Sequence, residues 1–160
     1  MATEKLKFKL ELYATMWDKS PHVEILINDK SYFKGDVTST NDKSQLIEFE
    51  HECEEGKDHE LTIKRSGKDK GQTVINDKGD ILKDQLLHIK NIEIDEIDIG
   101  ALVYEGVYTP EYPEPWATQQ RQAGVELRES FTNVTQIGHD GKWSFKFQSP
   151  FYMWLLENLY

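Results

Sequence analysis

Trp17 beside Asp18, with Tyr32 a short way downstream, are the residues whose types point most directly to a ligand. The apolar face of a pyranose meets the face of a Trp or Tyr ring, so aromatic side chains carried on loops are a means of holding sugars. Trp17 would serve equally well as a cap on a hydrophobic core. Three further groups invite a chemical reading. Glu48, Glu50 and Glu52 share one side of an extended segment, which suits a catalytic or metal-binding row, but a solvated face that discourages edge pairing is the stronger reading. Asp95 and Asp98 lie either side of Ile97, where exposed strand-end acids outweigh a working carboxylate pair. His139-Asp140 sits between Gly138 and Gly141, a turn setting more than a catalytic dyad. There is no nucleophile elbow, phosphate loop, paired-His metal motif or dinucleotide fingerprint, so no catalysis is expected.

The elements that must position these residues are strands. Leu6, Phe8, Leu10 and Leu12 alternate with charged residues, as do Val23, Ile25 and Ile27 with polar ones. Asn28-Asp29-Lys30 predicts a hairpin turn into Ser31-Tyr32-Phe33. Ile47, Phe49 and Cys53 predict the buried side of another strand, and Glu54 to Asp58 a hairpin turn into a return strand with Leu61 and Ile63 inward. The longest alternating run is 84 to 100. Leu87 and Ile89 share one phase and Ile92 and Ile94 the other, and a one-residue slip of this kind predicts a bulge or bend. Its Ile-rich content favours strand, and it reads as the closing strand of a two-sheet antiparallel sandwich, an all-β jelly roll from residue 1 to 107. Between its last two strands lies a long polar insertion, 66 to 83, whose Asp and Gly content suits a cation-binding loop without the spacing of an EF-hand.

Beyond Gly100 the composition changes. Residues 111 to 160 hold ten of the 18 aromatic residues and three of the four Trp. Pro110 to Pro115 predicts an extended, polyproline-like stretch. Ala117 to Arg128 has weak helical character broken by Gly124, Phe131 to Ile137 suits a strand, and Pro150 opens a short apolar helix. Trp143, Phe145 and Phe147 line one face of a strand. With Trp116, Phe151 and Trp154 they form a surface too apolar to stay in water. Residues 108–160 are therefore expected to be an aromatic extension that docks on a further copy of the chain or on a particle partner.

Net charge is −10, from 29 acidic and 19 basic residues. With no excess of Lys or Arg to displace counterions, a nucleic-acid grip is not expected. Cys53 is the single cysteine, which excludes an intramolecular disulfide and a thiolate zinc site. No run approaches a membrane span, and the opening residues lack an apolar signal core, so synthesis in a cytoplasm is expected.

Two resemblances add to this reading. Leu12 to Pro21, Val23 to Lys30, the turn Glu55 to Ile63, and Lys83-Asp84-Gln85-Leu86-Leu87 followed by Ile92-Glu93-Ile94 make residues 1 to about 105 similar to the small calcium-dependent carbohydrate-binding modules typified by the xylan-binding module. That resemblance implies a glycan ligand, a bound Ca2+ held by acidic residues of the last loops, and Asp84 with Asp69 as its carboxylates. The whole chain also resembles small proteins of tailed bacteriophages of marine bacteria. This rests on Tyr112-Pro113-Glu114-Pro115-Trp116, on Gly138-His139-Asp140-Gly141-Lys142-Trp143, and on Ser149 to Asn158. It implies a place in a virion, either as a glycan-recognition module or as a purely structural decoration, fibre or baseplate part.

Overall fold

Thr3–Thr15 (β1) is the longest strand, and its even-numbered residues Leu6, Phe8, Leu10, Leu12 and Ala14 are all buried. The computed structural model describes residues 2–15, 20–66, 73–75, 77–78, 81–112 and 114–159. The strands that follow are His22–Ile27 (β2), Lys30–Asp36 (β3), Gln45–Glu54 (β4), Asp58–Ser66 (β5), Thr73–Ile75 (β6), Ile81–Asp84 (β7), Leu86–Ile94 (β8), Ile97–Asp98 (β9), Val107–Pro110 (β10), Gln136–Ile137 (β11) and Gly141–Gln148 (β12). Two short helices, Trp116–Gln122 (α1) and Phe151–Leu159 (α2), complete the described elements together with 3-10 turns.

The expected all-β, antiparallel jelly-roll sandwich forms. One sheet runs β11-β8-β1-β4, with β9 paired to β8, and the other runs β10-β12-β5-β2-β3. β6 and β7 make a separate two-stranded ribbon. The bulge expected in the 84–100 run is present. Leu12 pairs with Ile89 while Glu11 pairs with Asn91, so Lys90 is the extra residue and Leu87, Ile89, Ile92 and Ile94 all reach the same core. The slip in hydrophobic phase is thus cancelled by a slip in the ladder. β8 is not the closing strand, because β11 pairs outside it.

The expected hairpin at 28–30 forms, with Asn28 in the left-handed region at φ 51°. The turn at Glu54–Asp58 does not make a hairpin. It is an arch that carries the chain from β4 in one sheet to β5 in the other. Alternation looks the same in both cases, because each strand buries one face whichever sheet it joins.

The division at residue 107 is where the structure departs most from the sequence reading. β12 does not lie beyond the sandwich. It is inserted between β5 and β10, with Trp143 opposite Ile63 and Tyr108, Phe145 opposite Leu61, and Phe147 opposite His59. Trp143, Phe145, Phe147 and Phe151 are fully buried in the same core as β1 and β8. The sequence pattern places them at an intermolecular interface, and the structure places them in the core. The apolar surface that demanded a partner finds it inside the chain, because β5 would otherwise be an open edge with an uncovered inner face. Trp154 is partly buried against Phe145, edge to face at 5.8 Å. α2 is docked at its start by Glu4, whose carboxylate accepts from the Ser149 hydroxyl at 2.5 Å and the Phe151 N–H at 3.0 Å. Of the expected interface residues only Trp116 is more than a third exposed. Cys53 is buried, as its place on β4 suggested, and burial pushes its thiol up to about 11. Among the described residues no helix is long and apolar enough to cross a membrane.

Candidate functional site

The strand directions define two ends. β1 finishes, β2 begins, β5 finishes and β8 begins at one end, as shown by the pairs Thr15–Leu86 and His22–Ser66. β10 finishes and β12 begins there too, with Pro110 opposite Gly141 and Gly141 opposite Arg65. The connections bearing the acidic candidates therefore leave and re-enter the described strands at this end.

Trp17, Asp18 and Asp69 lie outside the described residues. Asp84 closes β7 opposite Thr73, and its side chain is likewise outside what is described. Among the described residues no group of three or more His, Cys, Asp or Glu side chains is placed to hold a metal ion.

Tyr32 sits near the opposite end, and its neighbours occupy it. The register shift between Ile25 and Leu26 makes Tyr32 the extra residue of a bulge, which turns both Tyr32 and Phe33 toward the core. The Tyr32 ring stacks on Phe49 at 4.6 Å, Phe49 stacks on Phe8 at 5.2 Å, and the Tyr32 hydroxyl is hydrogen-bonded to Nδ1 of His51. The Lys30 ammonium lies 5.2 Å from its ring. These rings bridge the edge strands β3 and β4 and close one flank of the sandwich.

The loop end carries an aromatic cluster instead. Trp116 opens α1 with 39% of its surface exposed. Its ring lies 6.1 Å from Tyr112 and 5.9 Å from His139, and Tyr112 meets His139 edge-on at 5.4 Å. Each member is held locally. The Tyr112 hydroxyl donates to the Arg128 carbonyl at 2.6 Å, and Glu114 accepts from the Thr118 hydroxyl at 2.6 Å across the first turn of α1. α1 ends where Gly124 takes φ +87°, which turns the chain back across the sandwich. On the adjoining face Tyr13 stacks on His88 at 4.3 Å, and Thr15 shares a 2.8 Å hydrogen bond with the His88 ring. Burial holds the His88 pKa below its ordinary value, so this ring is neutral near pH 7.

Beneath the cluster lies Arg65, whose side chain has no exposed surface. Its guanidinium donates to the Ile137 carbonyl at 2.5 Å and to the Gln85 carbonyl and side-chain oxygen at 2.9 and 2.5 Å. Its Nε stands 4.0 Å from the Asp140 carboxylate. A buried charge needs such partners, and here they tie the end of β5 to the entry of β8 and to the turn before β12. Tyr108, buried on β10, donates its hydroxyl to the His139 carbonyl at 2.7 Å and accepts from the His139 N–H at 3.0 Å. Burial pushes that hydroxyl up to about 12, so it stays a donor across the ordinary pH range.

Sequence reasoning placed Tyr112 in an extended stretch, Trp116 at an interface and His139 in a turn. Nothing in their spacing joins them, because strand pairing of β10 with β12 is what brings them together.

The described residues thus form a two-sheet antiparallel sandwich with Trp116 exposed, and Tyr112 and His139 partly buried beside it, at the loop end. No protein-family model matches this chain, and no curated protein sequence matches it significantly. Two solved structures are similar in fold. One is a selenomethionine form of vCBM60, linked by circular permutation to a second family of calcium-dependent carbohydrate-binding modules. It aligns with TM-score 0.51 and 9% identity, over 88% of this chain and 89% of that one. The other is vCBM60 in complex with galactobiose, with TM-score 0.48 and 9% identity, over 87% of this chain and 96% of that one.

Proposed function

We propose that this chain is a non-catalytic glycan-binding module whose ligand meets the sandwich at the end carrying Tyr112, Trp116 and His139. The observation that carries the reading is the half-exposed Trp116 ring set between two other rings, a surface suited to the apolar face of a pyranose. The similarity of fold to a carbohydrate-binding module is an analogy of architecture, and the site has to carry the function by itself. The setting we propose, from the resemblance of the whole sequence, is a phage particle.

The test is a panel of neutral oligosaccharides (cellohexaose, xylohexaose and mannohexaose) on the full chain, followed by Trp116→Ala. Loss of a central stacking ring at a binding surface costs about 2 kcal/mol, roughly thirtyfold in Kd. Because Trp116 is exposed, the thermal midpoint should hardly move. Unchanged affinity in Trp116→Ala removes this end from the proposal.

Calcium enters the proposal through Asp69 and Asp84. An ion needs six to eight oxygens, so two carboxylates would have to be joined by backbone carbonyls and water. Binding to the folded chain alone raises the melting temperature with calcium concentration, and a chelator reverses the rise. A flat response at millimolar calcium removes the ion and leaves the aromatic surface untouched.

A second reading, a purely structural virion component, is favoured by α2. Tyr152, Met153 and Leu156 leave an apolar face of this helix at least half exposed. An absence of binding across the panel, combined with incorporation into particles, selects this reading.

A further inference from the structure

We propose that Tyr108 and Arg65 are positioning residues of the glycan site, holding the corner Ile137–Asp140 from beneath so that the His139 ring stands fixed against Trp116 and Tyr112. The inference rests on the glycan reading above for its functional meaning, but its geometry stands alone. One buried hydroxyl, that of Tyr108, engages both backbone groups of His139. Fixing the N–H and the carbonyl of a single residue constrains the two backbone torsions that aim its side chain. Arg65 acts on either side of the same residue, through the Ile137 carbonyl and toward the Asp140 carboxylate. The Glu111 N–H also donates to the Asp140 carbonyl at 2.6 Å, which ties the corner to the strand that leads to Tyr112.

Both clamps come from the core. Tyr108 lies opposite Trp143 on β12, and its ring is flanked by Phe131, which exchanges backbone hydrogen bonds with it at 2.8 Å in each direction. Arg65 is the penultimate residue of β5, the strand on the other side of β12. The wet rings are therefore aimed by dry groups, and the ordering of His139 is completed on folding instead of on binding. Preorganisation of this kind raises affinity without adding a contact.

Tyr108→Phe keeps the buried ring and deletes the hydroxyl. In the full chain, nuclear Overhauser contacts between the His139 ring and the rings of Trp116 and Tyr112 are expected to weaken or vanish, while those between Trp143 and Phe145 persist. The Kd for the tightest of the three hexaoses should rise about tenfold, the order expected when a side chain must be ordered on binding. A role confined to stability would lower the melting temperature and leave the platform contacts and the affinity of the folded fraction unchanged, and that result overturns the proposal. If the wild type binds none of the hexaoses, the glycan reading fails while the ring contacts still decide the positioning claim. Amide exchange in the wild type guards against a variant that does not fold. The His139 N–H should exchange at least a hundredfold more slowly than an exposed amide, and exchange at the exposed rate refutes the clamp.

Discussion

A chain cut at Val107 is expected to lose its cooperative fold. The cut removes β10 beyond its first residue, with β12 and α2, and with them Trp143, Phe145, Phe147, Phe151 and Leu155, all buried. Each large side chain contributes about 1.5–3 kcal/mol by burial, so the five together contribute about 7.5–15 kcal/mol, comparable to the roughly 5–15 kcal/mol of net stability that a domain possesses. β5 would lose its neighbour on one side and expose Leu61 and Ile63. Glu4 would lose the Ser149 and Phe151 groups that it accepts from. Circular dichroism and one-dimensional NMR of residues 1–107 should show no cooperative melt and little dispersion. A sharp melt with native-like dispersion would restore the idea of a free-standing sandwich followed by a separate tail.

The second large effect belongs to the contact between Trp143 and Gly106. Among the described residues Trp143 is the largest fully buried side chain, and it lies over the backbone of Gly106 where a Cβ would come within 2.2–2.4 Å of the indole. Gly106 has an ordinary φ of −61°, so room, not backbone freedom, demands glycine there. Trp143→Ala should cost about 3–5 kcal/mol through lost burial and the cavity left behind. Gly106→Ala should cost about 1–3 kcal/mol or more, because the indole cannot retreat within a packed core. The indole N–H has no hydrogen-bond partner among the described residues, so Trp143→Phe should be much milder than Trp143→Ala. Denaturant midpoints of the three variants check the order. A Gly106→Ala protein as stable as the wild type would show that the indole has another place to go.

Much of the architecture was legible in the chain. Alternation in β1, β2, β4 and β5, the Asn28 turn and the phase slip at Lys90 follow from local rules, because a strand's two faces alternate and a bulge restores the phase. Which strands neighbour one another was not legible. The arch at Glu54–Asp58 and a hairpin there have the same sequence pattern, and the aromatic face of β12 satisfies alternation equally well in a partner's surface or in its own core.

The aromatic surface was hidden for the same reason. Local pattern and composition establish an all-β chain rich in rings, Asp-bearing loops and acidic residues, without a catalytic motif. Strand pairing is what stacks Tyr32 on Phe49 at one flank and buries Trp143 in the core. It also brought Tyr112, Trp116 and His139 together over a buried arginine. The physical cause is that pattern reports burial and not partner. Thirty-one residues separate Tyr108 from the His139 that its hydroxyl holds, and only the ladder between β10 and β12 closes that distance.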